Sequence, residues 1–129
     1  MYIRGIRGAT VAEKDTPEDI LHATRELLTA ITAANPSLRP EDIASIFFTV
    51  SEELYSAYPA KAAREMGWNS VPMLCAREIP VPGALPRCIR VLIHWNTDLS
   101  QSAIHHIYQG AAASLRPDWA LLEVDNEHS

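Results

Sequence analysis

Apolar residues recur along this chain at two spacings, every second residue and every third or fourth, and the elements follow from where one gives way to the other. Residues 2–8, Tyr-Ile-Arg-Gly-Ile-Arg-Gly, read as a first strand whose glycines let a backbone or a ligand come close. Thr16 is a good N-cap, Pro17 suits the first helical position, and Glu18 and Asp19 suit the positive end of a helix dipole. Ile20, Leu21, Thr24, Leu27, Leu28 and Ile31 then recur at helical spacing, and Asn35-Pro36 ends that helix near Ala34. Ile43 to Val50 reads as a buried strand, Ser51 to Tyr58 as irregular, and residues 59–66 as a short helix begun by Pro59 and ended at Gly67. Val71 to Ile79 is a further strand candidate, followed by a Pro/Gly turn over 80–86.

Arg87 to Trp95 gives the clearest alternation: Ile89, Val91, Ile93 and Trp95 on one face, Cys88, Arg90, Leu92 and His94 on the other. Ser100 or Gln101 to Tyr108 predicts a helix with Ile104, Ile107, Tyr108 and Ala111 on its apolar side and Gly110 at its end. Ala111 to Leu115 fits a helix or a short extended piece, with Pro117 limiting any helix there. The order predicts an α+β fold, a mixed β-sheet with helices packed mainly on one face. The length predicts one domain over 1–129; Glu123 to Ser129 is polar and reads as frayed, and a mobile tail is expected over about 120–129.

Composition narrows the partners. Hydrophobic residues make 47% and charged residues 21%, as in ordinary globular proteins, and the net charge is −5. That balance argues against nucleic acid or an anionic membrane as partner, since both require clustered Lys and Arg. No apolar run nears the ~20 residues that span a bilayer, and no signal peptide is evident. Cys75 and Cys88 are too few for a disulfide scaffold and are expected to be reduced thiols in a cytoplasmic protein.

Against that acidic background three arginines stand out. Arg7 and Arg90 lie in apolar, strand-like segments, and Arg116 lies in Leu-Arg-Pro-Asp (115–118). A guanidinium withdrawn from water needs a partner, either inside the fold or in an anionic ligand. Glu78 is either an ion-pair partner for Arg90 or an acceptor for a substrate hydroxyl beside it. Lys61 and Arg64 fit a solvated helix face as well as a ligand contact, and Tyr108 fits the core. No phosphate-cradling loop, metal-ligand spacing or activated thiol is present, so neither cofactor nor metal is expected. His105 and His106 are adjacent and cannot share a metal as an i, i+4 pair does.

Several segments, taken in order and spacing, carry a resemblance: Ile-Arg-Gly-Ile-Arg-Gly-Ala-Thr (3–10), Pro-Ala-Lys-Ala-Ala-Arg-Glu (59–65), Gly67-Trp68, Val71-Pro72 and Cys75-Ala-Arg-Glu78. Arg-Cys-Ile-Arg-Val (87–91), Thr97-Asp98, Tyr108 and Leu-Arg-Pro-Asp (115–118) complete the set. From residue 1 to about 119 the chain resembles the small monofunctional bacterial chorismate mutases of the AroH type. The resemblance implies a cytoplasmic homotrimer with a pseudo α/β-barrel core and active sites at subunit interfaces. The implied reaction is the Claisen rearrangement of chorismate to prephenate, on the route to phenylalanine and tyrosine. It implies a site of Arg7, Cys75, Glu78, Arg90 and Tyr108 from one subunit. Tyr58, Ala60, Lys61, Arg64, Met73 and Leu74 would line or border it, some from the neighbour, with Leu115 and Arg116 on the C-terminal flank. Such a pericyclic reaction needs no nucleophile, metal or cofactor. A trimeric enamine/imine deaminase and a non-catalytic trimer that binds an aromatic-pathway acid are the competing readings.

Overall fold

The computed structural model of the protein describes residues 1–118. The tail expected over about 120–129 lies outside them. One five-stranded sheet organises the chain: β1 (Tyr2–Val11), β2 (Ile43–Val50), β3 (Met73–Arg77), β4 (Cys88–Thr97) and β5 (Ile107–Tyr108). The strand order is β3-β2-β4-β1-β5. β4 runs antiparallel to both β1 and β2, whereas β3 is parallel to β2 and β5 is parallel to β1. The sheet is therefore mixed, as the sequence predicts.

Two helices, α1 (Pro17–Ala34) and α2 (Ala60–Glu65), lie against one face. α1 starts where the sequence places it, with the Thr16 hydroxyl accepting from the Asp19 N–H at 3.1 Å. Its stripe of Leu27, Leu28 and Ile31 is fully buried against Ile6, Ile46, Phe48, Val91, Ile93 and Trp95 of the sheet. Each such side chain contributes roughly 1.5–3 kcal/mol through burial. α2 ends at Gly67, whose φ of +96° is left-handed and costs glycine little. Gly8 serves a different need. A Cβ there would come within 3.0 Å of Ile31 Cδ1 and 3.1 Å of the Ile107 carbonyl, so its bareness lets α1 and β5 close on β1.

β4 shows the expected alternation: Ile89, Val91, Ile93 and Trp95 are in the core, and Arg90, Leu92 and His94 are half-buried on the opposite face. β1 runs on to Val11 because Ala9, Thr10 and Val11 pair with Arg90, Ile89 and Cys88. β3 is shorter than the expected 71–79, starting after Pro72 and losing regular pairing beyond Arg77.

The helix expected from Ser100 or Gln101 to Tyr108 does not form. A 3-10 turn at Gln101–Ala103 is followed by an extended strap and then by β5. The outer edge of β1 needs partners, and this segment supplies them. Buried Asn35, just past α1, also holds the strap extended. Its Oδ1 accepts from the His105 N–H, and its Nδ2 donates to the His105 carbonyl, both at 3.0 Å. Ala111 to Leu115, which fits either a helix or an extended piece by sequence, lies in a 3-10 helix over Gly110–Leu115.

Candidate active site

Arg90 lies at the middle of the sheet face opposite α1 and α2. Strand register sets it beside Ala9 of β1 and Thr49 of β2. Its Nε is buried and makes no hydrogen bond within the protein. The same atom is 3.9 Å from Glu78 Oε1, beyond hydrogen-bond range. Oε1 instead accepts from the Thr49 hydroxyl at 2.6 Å. The Glu78 N–H still bonds the Val50 carbonyl at 2.9 Å, which fixes the carboxylate just past the end of β3. Arginine and glutamate thus form a long ion pair, at 3.9 Å, with no hydrogen bond from Arg90 Nε to the carboxylate.

A cavity of about 430 Å³ adjoins this pair, lined by Ser51, Glu78, Cys88, Arg90 and the loop from Ile79 to Leu85. That volume suits a small ligand. The cavity wall is well anchored. Ser51 Oγ accepts from the Cys88 N–H at 2.8 Å. At the entry to β4, Arg87 takes a left-handed φ of 52°, held by its N–H to Glu53 Oε1 at 2.7 Å and its Nε to the Ala12 carbonyl at 3.1 Å. The Cys88 thiol lies against the Arg90 guanidinium, and burial pushes its pKa up.

Tyr108 pairs with Ala9, and residues 7 and 9 share a face of β1, so Arg7, Tyr108 and Arg90 lie on the same side of the sheet. Burial pushes the Tyr108 phenol pKa up, against the opposing fields of Arg7, Arg90 and Arg116. The phenol is therefore neutral at neutral pH and can donate a hydrogen bond amid three guanidinium groups. Arg116 grips Asp118 in two-point fashion, at 3.1 and 2.8 Å. Leu115 packs on the Ala9, Cys88 and Tyr108 cluster.

The remaining sequence-predicted residues form a second group. Residues 75 and 78 are an odd number apart along an extended segment, so their side chains leave on opposite faces. Cys75 turns toward the core side, near the Ala60 N–H and the field of Arg64, and burial pushes its thiol pKa up. It does not share a face with Arg90 and Glu78 of its own chain. Cys75 and Tyr58 line a separate cavity of about 430 Å³. Lys61 and Arg64 are exposed on α2, buried Ala60 opens that helix, and half-buried Met73 packs at the core margin. Leu74, 64% exposed, pairs with Phe47 on the face opposite α1 and α2.

The chain matches the family model described as chorismate mutase type I over residues 3–119. It belongs to that family. Among its relatives, the chorismate mutase AroH of Thermus thermophilus is 55% identical over 116 residues, covering 90% of this chain and 95% of the relative. The chorismate mutase AroH of Bacillus subtilis (strain 168) is 44% identical over 122 residues, covering 94% and 95%. A solved chorismate mutase structure from Clostridium thermocellum superposes with a TM-score of 0.83 at 44% identity, covering 85% of this chain and 97% of that one. By family the chain is a chorismate mutase, an isomerase; neither the deaminase nor the non-catalytic binder finds support.

Two residues of this candidate site escaped the sequence reading. Thr49 holds Glu78, and Cys88 lies under Arg90. Cys88 could have been found from its place two residues before Arg90 on one strand face. Thr49 could not, because its place depends on the β2–β4 register. Among the described residues no helix is long and apolar enough to cross a membrane.

Proposed function

We propose that the chain converts chorismate to prephenate in a cytoplasmic homotrimer, each active site being built by two subunits. One subunit would contribute Arg7, Glu78, Arg90, Tyr108, Leu115 and Arg116. Its neighbour would contribute Tyr58, Ala60, Lys61, Arg64, Met73, Leu74 and Cys75. Two features support this division. Glu78 and Arg90 of the first group line one cavity, whereas Tyr58 and Cys75 of the second line another. The face opposite α1 and α2 also leaves Phe47 42% and Leu74 64% exposed, as an apolar surface awaiting a partner would.

In the rearrangement an ether C–O bond breaks as a C–C bond forms, within one molecule. The protein's tasks are to hold the enolpyruvyl arm over the ring and to stabilise negative charge growing on the ether oxygen. Arg90 is assigned to that oxygen and to a substrate carboxylate, because its planar fork is fixed and always charged. Arg7 and the neutral Tyr108 hydroxyl would bind the side-chain carboxylate, and Glu78 would accept from the ring hydroxyl. Both thiols have pKa values raised by burial, so neither is poised as a thiolate nucleophile.

The observation that carries the reading is the buried Arg90 Nε, without a hydrogen bond and beside Glu78 and a ligand-sized cavity. Mixing purified protein with chorismate and following its absorbance tests the reading. Saturable decay with prephenate as product is expected; saturable binding without decay would overturn it.

A further inference from the structure

β1 is covered by β4 along one edge, but along the other it meets β5 only at Gly8 and Ala9. Just before that short pairing, two side chains stand in for a strand. The Gln101 amide closes on Gly5, accepting its N–H at 3.0 Å and donating to its carbonyl at 2.7 Å. Two residues on, the Arg7 N–H donates to Nδ1 of His106 at 2.9 Å. An acceptor at Nδ1 places the proton of a neutral ring on Nε2.

The ring has little freedom. The residue before it, His105, is clamped through both backbone groups by buried Asn35, and the residue after it begins β5. His106 itself is half-buried. The charged and titratable groups that face it are Arg7 from β1, Arg116 and Asp118 from the C-terminal segment, and His105 beside it.

We propose that His106 is a positioning residue for the reaction: its neutral ring pins the backbone at Arg7 and so aims the Arg7 guanidinium at the substrate carboxylate. The proposal rests on the carboxylate-binding role assigned to Arg7. Protonation would turn Nδ1 into a donor facing another donor, so the pin works only while the ring is neutral. Burial, reinforced by Arg116, Arg7 and His105 and opposed by Asp118, lowers the His106 pKa and keeps it neutral at neutral pH.

The test is steady-state kinetics of the full chain as a function of pH, for the wild type, His106→Phe, His106→Asn, Arg7→Ala and the Arg7→Ala/His106→Phe pair. His106→Phe keeps a ring but loses the acceptor, and about a tenfold rise in KM with kcat within about threefold is expected. Asparagine offers Oδ1 near the Nδ1 position, so His106→Asn is expected within about threefold of wild-type KM, through the same hydrogen bond. In the wild type kcat/KM is expected to fall on acidification somewhere below pH ~6.5, the ordinary imidazole value, and His106→Asn is expected to lack that limb. A protonated ring would also attract a di-anion; if kcat/KM instead rises through this limb, charge outweighs geometry and the proposal fails. On Arg7→Ala, His106→Phe is expected to add less than about twofold, since the two act as one unit. If Arg7→Ala raises KM but a folded His106→Phe does not, positioning by His106 is overturned while the role of Arg7 stands. If Arg7→Ala leaves KM unchanged, the carboxylate role falls and this proposal with it. Should His106→Phe fail to fold, the wild-type limb and its loss in His106→Asn decide the matter.

Discussion

At the residue scale the site turns on Arg90. Its charge is half-buried and paired with Glu78 at 3.9 Å, but its buried Nε makes no hydrogen bond, which costs stability unless a ligand completes it. Glu78 is near enough to lower that cost but is held by Thr49 rather than by the guanidinium. Loss of one preorganised donor at developing charge costs about 2.7–4 kcal/mol, or ~10²–10³ in rate. Arg90→Ala is therefore expected to leave the fold intact by circular dichroism while lowering kcat at least about 10²-fold in the chorismate assay. Arg90→Lys is expected to be nearly as poor, because a point charge on a flexible stem cannot reproduce the fork. A lysine variant with wild-type kcat would show that charge alone suffices. Removing Lys61, exposed on α2, should cost much less, since exposed charges interact through solvent.

At the scale of elements, Asn35 decides more than its place at the end of a helix suggests. Its Nδ2 bonds the Ile31 carbonyl at 2.9 Å, and its two polar atoms bond both backbone groups of His105 at 3.0 Å. Asn35→Ala would remove both bonds to the His105 backbone, whereas the Ile31 carbonyl keeps the residue-35 N–H at 3.0 Å, and at about 0.5–1.5 kcal/mol per lost bond a loss of about 1–3 kcal/mol is expected from urea denaturation. Unchanged stability would mean that the strap is held by β5 alone. This contact also explains what the sequence did not disclose. Ile104, Ile107, Tyr108 and Ala111 fit a helical stripe, so local pattern favoured a helix there. The contest was settled by Asn35, 70 residues from His105, and by the open edge of β1. α1 and the two faces of β4 were legible because cap and periodicity are local. The grouping of Arg7, Arg90 and Tyr108 was legible only through the resemblance, since local pattern cannot place β1 between β4 and β5. The separation of Cys75 from Glu78 was legible in principle, from odd spacing in an extended segment, but whole-chain resemblance drew them into one subunit's site.

At the scale of the whole molecule the face opposite α1 and α2 sets the problem. The helices bury one side of the sheet, whereas the other presents Phe47, Leu74 and half-buried Leu92. His94 is worked into the same surface, its Nδ1 2.9 Å from the Ser45 hydroxyl and its ring edge-on to Phe47. A chain of net charge −5 also needs cationic groups gathered in one place if it is to take up a di-anion. Assembly through this face would meet both needs, covering the apolar surface and bringing the Arg64 of one subunit toward the Arg7, Arg90 and Arg116 of another. Phe47→Asp tests this directly. An unpaired carboxylate in an apolar interface costs several kcal/mol, whereas on a lone chain the same side chain stays in water. Sedimentation is expected to show a trimer for the wild type and mainly monomer for Phe47→Asp at the same concentration. Circular dichroism should remain that of a folded chain, because Phe47 lies outside the helix-packed core. Chorismate turnover is expected to disappear together with the trimer. A monomeric variant that still turns over chorismate at the wild-type rate would place the whole site within one chain.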